Sequence, residues 1–251
     1  MTANHAILNA SSEGESLIMT DYAITESTSR ILKNFASICG SVVLEEGETQ
    51  KTMSTSKSML AIAKFEKPWP MQTPIFGLSE LLANLSAYDK PTLTLGEKQF
   101  IIKGTNSPSH VEYPYSDPSV VMGVPTKEFA TDNPLATFLL PSSAVAEIKK
   151  FSAINNLPLI SVIVNADDST IFVKPLDDKN PSSRTYSYPV HSDANNITQM
   201  SSGVSQSFKI KKEHFDLVLD GAYTVSVGPW PYMYLEHQSE PISYIIVKKN
   251  E

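Results

Sequence analysis

A short helical sequence occurs twice in the chain, and this repetition limits the folds that the chain can adopt. Residues 31–38 read ILKNFASI and residues 148–154 read IKKFSAI, so that a shift of 116 residues places Phe35 on Phe151. In both copies a short apolar stretch and a polar, serine-containing start precede the repeated sequence. Each copy is therefore predicted to be a strand followed by a helix.

A second similarity follows in the same order along the chain. The sequence TLTLG at residues 92–96 resembles TVSVG at residues 224–228, at a shift of 132 residues. A repeat this long indicates a duplicated domain and not a solenoid unit. The chain is predicted to contain an N-terminal extension (1–18, with Met19 as an alternative start), a first domain (19–115), an extended connector (116–134) and a second domain (135–251).

The apolar residues of each half recur at the spacings of helices and strands. Ile31, Phe35 and Ile38 lie on one side of a predicted helix, and runs of alternating apolar residues predict strands. The predicted helices are Thr28–Ile38, Leu78–Leu85, Ser143–Ile154 and Lys211–Leu219. The predicted strands include Val42–Leu44 paired with Met59–Phe65, Thr92–Leu95 paired with Phe100–Lys103, Ile160–Val164 paired with Ile171–Lys174, then Tyr186–Val190, Tyr223–Val227, Tyr232–Glu236 and Tyr244–Lys248. The fold class is predicted to be α+β, as two tandem similar domains that each pack two helices on a mainly antiparallel sheet.

The composition is typical of a folded, non-membrane protein. The hydrophobic fraction of 41% is too high for a disordered chain, and no stretch approaches the roughly 20 apolar residues of a membrane span. Residues 1–18 lack the basic start and apolar run of a signal peptide. The single cysteine, Cys39, follows an apolar helix and is predicted to be a buried thiol, which fits a cytoplasmic protein.

Basic residues recur on the polar sides of the predicted helices, although the chain carries a net charge of −7. An acidic protein does not coat nucleic acid indiscriminately, but a concentrated lysine face still attracts phosphate at short range. The alternative interpretation is that these lysines only solvate the helices. The candidates are Arg30 and Lys33 in the first helix, Lys149 and Lys150 in its second copy, and Lys209, Lys211 and Lys212 at the last helix.

No enzymatic motif is present in the sequence. The five histidines are scattered outside any metal-ligand spacing, and no P-loop, G-x-G-x-x-G or G-x-S-x-G sequence occurs. Asp167–Asp168 and Asp177–Asp178 lie in predicted turns, where aspartate is favoured for local hydrogen bonds. The chain is therefore predicted not to be an enzyme and to need neither a cofactor nor a metal ion.

The first helix resembles the opening helix of the DNA polymerase sliding clamps of T-even-type bacteriophages. That helix combines a polar start, the sequence Leu-Lys-Asn-Phe-Ala and a following hydrophobic strand, as ILKNFASI does here. The resemblance covers roughly Met19 to Val247. The chain departs from the family in its 18-residue extension, in a longer connector and in an insertion around residues 177–203. The later parts that match by order and pattern are Leu78–Leu85, VEYP (111–114), AEIKKF (146–151), GAYTVSV (221–227) and ISYIIV (242–247).

This resemblance implies a ring of three chains, in which six similar domains surround duplex DNA and helices line the hole. Lysines on those helices would contact the sugar-phosphate backbone, which carries no sequence information and so permits sliding. The family further implies an ATP-driven clamp loader, a replicative DNA polymerase that docks a short tail in an apolar pocket, and action in the cytoplasm of an infected bacterium. A role in transcription, known in some relatives, is open. The candidate pocket residues are Val120, Val121, Met122, Tyr232, Met233 and Tyr234. The alternative interpretation is that they make ordinary core or strand packing.

Two points stay open at the level of sequence. Ring closure needs a head-to-tail contact between edge strands, but the sequence does not identify which edges meet. The alternative to a clamp is a non-enzymatic two-domain phage assembly or interaction protein, whose lysines have no special role.

Overall fold

The computed structural model describes residues 20–165, 168–180, 182–190, 197–200 and 205–249. The predicted extension 1–18, Met19, Asp167 and parts of the predicted insertion (181, 191–196 and 201–204) lie outside the described residues. The helices are α1 (Glu26–Ile38), α2 (Leu78–Ser86), α3 (Ser142–Ile154) and α4 (Lys212–Asp216). The strands are β1 (Thr20–Ala23), β2 (Val42–Leu44), β3 (Gly47–Met53), β4 (Met59–Trp69), β5 (Thr73–Ile75), β6 (Thr92–Leu95), β7 (Gln99–Lys103), β8 (His110–Pro114), β9 (Ala136–Leu140), β10 (Leu159–Asn165), β11 (Thr170–Leu176), β12 (Tyr188–Val190), β13 (Ile197–Met200), β14 (Gln206–Lys211), β15 (Tyr223–Val227), β16 (Tyr232–His237) and β17 (Ile242–Val247).

Helix α1 begins where the sequence supplies a cap and buries the side that its spacing predicts. The Thr25 side chain accepts a hydrogen bond from the Thr28 N–H at 3.1 Å, which satisfies one free donor of the first turn. Ile31 and Phe35 on the apolar side are fully buried. Helix α3 has the same length of 13 residues and starts 116 residues later, in agreement with the shift between the two repeated sequences.

The strands around these helices repeat the same connections. In the first half β1 pairs with β6, β6 with β7, and β7 with β8; in the second half β9, β15, β16 and β17 pair in the same order. Likewise β2 pairs with β5, and β10 pairs with β14. Every pairing in both halves is antiparallel. The predicted α+β class with two similar domains is confirmed.

One sheet passes from the second half into the first. Strand β17 pairs with β4, from Ile242 opposite Ala63 to Ile246 opposite Met59. The result is a seven-stranded sheet in the order β13-β9-β15-β16-β17-β4-β3. The helices cover one face of this sheet with the main core, in which Tyr244 of β17 is completely buried.

The two halves also meet through polar side chains. Asn34 of α1 donates to the Leu217 carbonyl at 2.7 Å and accepts from the Tyr244 hydroxyl at 2.9 Å. Arg30 of α1 pairs with the largely buried Glu240 of the β16–β17 turn. Because buried polar groups of this kind are costly to leave unpaired, the contacts fix α1 against the second half.

One strand pairing was predicted wrongly, and the strand β3 was missed. Strand β2 pairs with β5 and not with residues 59–65, because β3 intervenes and takes β4 as its partner. The sequence GETQKTM of β3 is too polar to predict a strand. Its Gln50 is nevertheless buried, since the side-chain amide donates to the Glu45 and Gly47 carbonyls and accepts from the Glu45 N–H.

The last helix is shorter than its predicted span of 211–219. Lys209 and Lys211 belong to strand β14, so their predicted placement on an inner helix is corrected. The chain leaves the helix after Asp216 because the next carbonyls accept bonds from side chains instead. Asn34 bonds to Leu217, Lys149 to Val218 and the Tyr223 hydroxyl to Leu219.

A buried histidine joins α4 to the β3–β4 turn of the first half. The His214 Nε2 atom lies 2.7 Å from the Ser58 hydroxyl, whereas Nδ1 has no hydrogen-bond partner among the described residues. Burial lowers the pKa of His214 below its usual value of about 6.5, an effect that Glu213 opposes and Lys211 reinforces. The neutral ring is therefore the form that suits the folded state.

We expect this histidine to make the chain less stable in mild acid. The unfolded chain takes up the proton as the pH falls through about 6.5. The folded chain does not, so its free energy of unfolding falls by up to about 1.4 kcal/mol per pH unit below that point. Thermal unfolding from pH 7.5 to 5.5 measures the slope, with His214→Leu as the comparison because it removes the titrating group. Equal slopes for the two proteins would show that His214 does not contribute.

Candidate functional sites

The lysines predicted to contact DNA differ in the hydrogen bonds and ion pairs that they make within the chain. Lys33 of α1 and Lys150 of α3 are exposed and make no hydrogen bond or ion pair with other described residues. Lys149 occupies the α3 position that matches Lys33, but its ammonium donates to the Val218 carbonyl at 2.8 Å and lies 2.9 Å from Asp220. Two equivalent positions therefore present a free charge in one half and a partly neutralised one in the other.

The other basic candidates are all in ion pairs. Arg30 bridges Glu26 and Glu240, as described for the junction of the halves. Lys212 pairs with Asp216, and Lys211 lies 3.0 Å from Glu213, whose pKa is lowered chiefly by that hydrogen bond. Lys209 lies 4.0 Å from Asp178, which is bonded more closely to Lys249.

Helix α3 exposes a side that its counterpart α1 buries. Asn34 is 7% exposed because it bonds to the second half of the chain, whereas the matching Lys150 is open to solvent. Ile38 is 7% exposed and the matching Ile154 is 62% exposed. Two matching positions are therefore buried in α1 and open to solvent in α3.

A second candidate site lies on the face of the seven-stranded sheet that is opposite the main core. We call this cluster the connector pocket: Met53, Leu60, Trp230, Tyr232 and Ile245, with Ile62, Met122, Val124, Phe129 and Tyr234 packed around them. It lies between the sheet and the connector. Three of the predicted pocket residues, Met122, Tyr232 and Tyr234, belong to it.

The other three predicted residues lie elsewhere. Met233 points to the opposite face and packs in the main core, because side chains alternate along a strand. Val121 is buried outside this cluster and Val120 is 55% exposed. The structure thus gathers Met122, Tyr232 and Tyr234 in one cluster and places Met233 in the main core. That this cluster docks a partner peptide stays a prediction.

The second half of the connector is fixed to the sheet by aromatic residues. The Tyr232 hydroxyl donates to the Ala130 carbonyl, and the Trp230 indole N–H donates to the Asp132 carbonyl at 3.2 Å. The Phe129 ring meets Tyr232 edge to face, with ring centres 5.5 Å apart. An open groove of about 540 Å³ continues past Phe129 and Tyr234 over the strands β4 and β17.

The sequence and the fold were compared with those of known proteins. No family model matches the sequence. A curated relative named "Sliding clamp", from Vibrio phage KVP40, is 26% identical over 208 residues, which are 82% of this chain and 90% of the relative. Among solved structures, the proliferating cellular nuclear antigen of Entamoeba histolytica matches with a TM-score of 0.65 at 12% identity, covering 92% of this chain and 98% of that one. The PCNA2-PCNA3 complex of Sulfolobus tokodaii matches with a TM-score of 0.63 at 10% identity, covering 93% and 100%.

The chain has the sliding-clamp fold. The predicted resemblance to phage sliding clamps is confirmed by the phage relative and by these structures. None of the helices described in this clamp fold is long and apolar enough to cross a membrane.

Several residues of the connector pocket were missed from sequence. Trp230 lies between two prolines, a pattern typical of a turn, but it is a buried part of the connector pocket. Leu60 and Ile245 were assigned to strands, but the face on which they lie depends on the pairing of β4 with β17. The available signal was the near-continuous apolar run of these strands, MLAIA at residues 59–63 and YIIV at residues 244–247, which indicates a sheet covered on both faces.

Proposed function

We propose that the chain is a DNA polymerase sliding clamp, which forms a ring of three copies around duplex DNA and tethers the replicative polymerase. The observation that carries this proposal is the exposed side of α3, since the matching side of α1 is covered by the other half of the chain. The curated name of the Vibrio phage relative supports the same function. Loading by an ATP-driven clamp loader, action in an infected bacterial cell and a further role in transcription come from the family resemblance.

The internal duplication supports a specific contact between chains. Within the chain, β17 at the end of the second half pairs with β4 of the first half. By position in the repeat, β8 corresponds to β17 and β12 corresponds to β4. Both β8 and β12 are edge strands of their four-stranded sheets. The proposed interface therefore pairs β8 of one chain with β12 of the next, and it continues the sheet around the ring.

The same reasoning places the helices toward the centre of the ring. Lys33 and Lys149 occupy matching positions on α1 and α3, and in the proposed ring they face the DNA at regular intervals. Arg30 and Lys150 lie on the side of each helix that meets the neighbouring domain. The flexible and hydrated charge of lysine suits contacts that must shift from one phosphate to the next.

Light scattering together with a processivity assay tests the function. We expect a species of three times the 27.6 kDa chain mass that dissociates only on dilution. We also expect longer primer-extension products when the clamp, its loader and the polymerase are combined. A single chain at every concentration, with no effect on product length, would favour the alternative of a phage assembly or interaction protein.

Replacing Lys33 by glutamate is expected to weaken the hold on DNA without affecting assembly. Lys33 has no partner among the described residues, so the change breaks no internal contact, and it places three acidic groups in the hole of the ring. The expected result is several-fold shorter extension products and a smaller dependence on salt, by about one unit of the salt slope for each lost phosphate contact. Product length measured over a range of salt concentrations checks this.

The matched control for this variant is Lys98→Glu. Lys98 is equally exposed but lies in the turn between β6 and β7, at the end of a sheet and away from the helices. Light scattering is expected to show that both variants still assemble. Normal product length for Lys33→Glu would contradict the proposed position of α1 in the hole.

A further inference from the structure

The connector contains a span that is fixed at both ends and loose between them. At one end the Val121 N–H donates to the Pro118 carbonyl at 3.2 Å, in a short turn capped by Asp117. At the other end Phe129, Ala130 and Asp132 contact Tyr232 and Trp230. Among the described residues no hydrogen bond joins the span 122–128 to the rest of the chain. Segments with so few contacts open most readily.

Two apolar side chains are what hold this span against the sheet. Met122 and Val124 are half-buried in the connector pocket, where they pack around the buried residues Met53, Leu60 and Ile245. Gly123 between them is exposed, and a side chain added there would meet nothing within 4 Å. The pocket thus takes alternate side chains of an extended segment, as a docking peptide would supply them.

We propose that Met122 and Val124 are internal stand-ins for the side chains of a docking peptide, which displaces them when it binds in the connector pocket. This inference rests on the proposed function, because it takes the pocket to be the docking site of the polymerase. It assigns the partner a chemistry: an extended peptide with two apolar side chains two residues apart and a small or solvent-facing residue between them. Phe129 and the bonds at Ala130 and Asp132 stay in place and act as the hinge.

The inference predicts that binding improves when the stand-ins are removed. A self-occupied pocket is open for only a fraction of the time, and the apparent affinity of a peptide falls by that fraction. The double variant Met122→Ala, Val124→Ala empties the pocket and leaves the span its length. The expected effect is about three- to tenfold tighter binding. A fluorescein-labelled peptide of the last 12 residues of the polymerase encoded in the same genome is the probe, and its anisotropy is the measurement.

The matched control is Thr126→Ala, which removes an exposed side chain from the same span and is expected to leave affinity unchanged. Weaker or unchanged binding to the double variant would overturn the inference. Weaker binding would mean that Met122 and Val124 contact the bound peptide, and unchanged binding would mean that they do not affect it.

A second readout separates this inference from the proposed function. Emptying the pocket exposes apolar surface, so the dye 8-anilinonaphthalene-1-sulfonate is expected to fluoresce more with the double variant than with the original chain. If the polymerase peptide binds neither protein but the dye signal rises, self-occupancy stands and polymerase docking in this pocket fails. If the dye signal does not rise, the stand-in role is overturned, while ring assembly and primer extension still decide the clamp function.

Discussion

Val111→Lys is expected to separate the proposed ring into single chains while leaving each chain folded. The strand pairings of the two halves place Val111 of β8 at the position that Tyr244 has in β17. Leu95 and Val227 are equivalent in the repeat, and their cross-strand partners are Phe100 and Met233. The partners of those residues are Tyr113 and Ile246, so the residues two positions earlier, Val111 and Tyr244, are also equivalent. Tyr244 is completely buried at the junction within the chain, whereas Val111 is only half-buried. In the proposed ring, the next chain supplies the missing cover over Val111.

The energetic consequence differs between the free chain and the ring. In the free chain a lysine at position 111 extends its ammonium into water past the edge of the sheet. In the ring the same ammonium is enclosed beside Lys150 of the neighbour, because Lys150 matches Asn34, and Asn34 bonds to Tyr244. An enclosed charge next to a like charge costs several kcal/mol, so we expect association to weaken by at least about 100-fold.

Light scattering across a dilution series measures this effect, and two further variants define its cause. Ile101→Lys is the control: it changes a half-buried aliphatic residue of the neighbouring strand β7, away from the free edge. Adding Lys150→Glu to Val111→Lys replaces the repulsion by an ion pair and is expected to restore much of the association, as a double-mutant cycle. A Val111→Lys chain that assembles normally would contradict the pairing of β8 with β12.

The repeated helix is the part of the fold that the sequence predicted best. The 116-residue shift between Phe35 and Phe151 is the shift between α1 and α3 in the structure. The helix could be predicted because the spacing of its own apolar residues shows which side is buried. Strand β3 escaped prediction for the opposite reason, since the polar Gln50 is buried only through its hydrogen bonds to the backbone carbonyls of Glu45 and Gly47. Strand β5 escaped because Pro74 is typical of a turn, although an edge strand tolerates it.

The candidate sites show the same limit. Lys33 and Lys149 are equivalent in sequence but not in structure, because only the second meets a free carbonyl and an aspartate at the end of α4. Those partners are about 70 residues away in the chain, so no local sequence pattern predicts them. For the same reason the connector pocket was predicted from Met122 and Tyr232 but not from Met53 or Leu60. A site that forms between distant segments is visible only when the strand pairings are known.

Gly221→Ala is expected to lower the stability of the chain by about 3 kcal/mol, through a histidine that organises the junction of the two halves. A Cβ atom at position 221 would lie within 2.6 Å of the ring Cε1 of His237 and closer still to Nε2. The ring is buried and has no room to retreat. Its Nδ1 accepts the N–H groups of Ser239 and Glu240 at 3.1 and 3.0 Å, so Nε2 carries the proton and faces the Asp220 carbonyl at 3.3 Å.

Displacing His237 also affects the contact between the halves. The turn that the ring caps presents Glu240, which pairs with Arg30 of α1. Thermal unfolding at one fixed protein concentration measures the loss, because assembly makes the midpoint depend on concentration. We expect the midpoint to fall by roughly 6–12 °C, from about 2–4 °C per kcal/mol for a chain of this size. Gly40→Ala is the control, since a Cβ atom there meets nothing within 4 Å.

The cause of the Gly221→Ala effect is isolated by removing the ring itself. His237→Ala loses the cap of the β16–β17 turn and is destabilising alone, but it leaves space for a side chain at position 221. Adding Gly221→Ala to His237→Ala is therefore expected to cost little more, whereas independent effects would add. Full additivity would show that Gly221 is required for its backbone and not for its approach to His237. Strong coupling would mean that one close packing of glycine on histidine sets the position of Glu240, and with it the contact of Glu240 with Arg30 between the two halves.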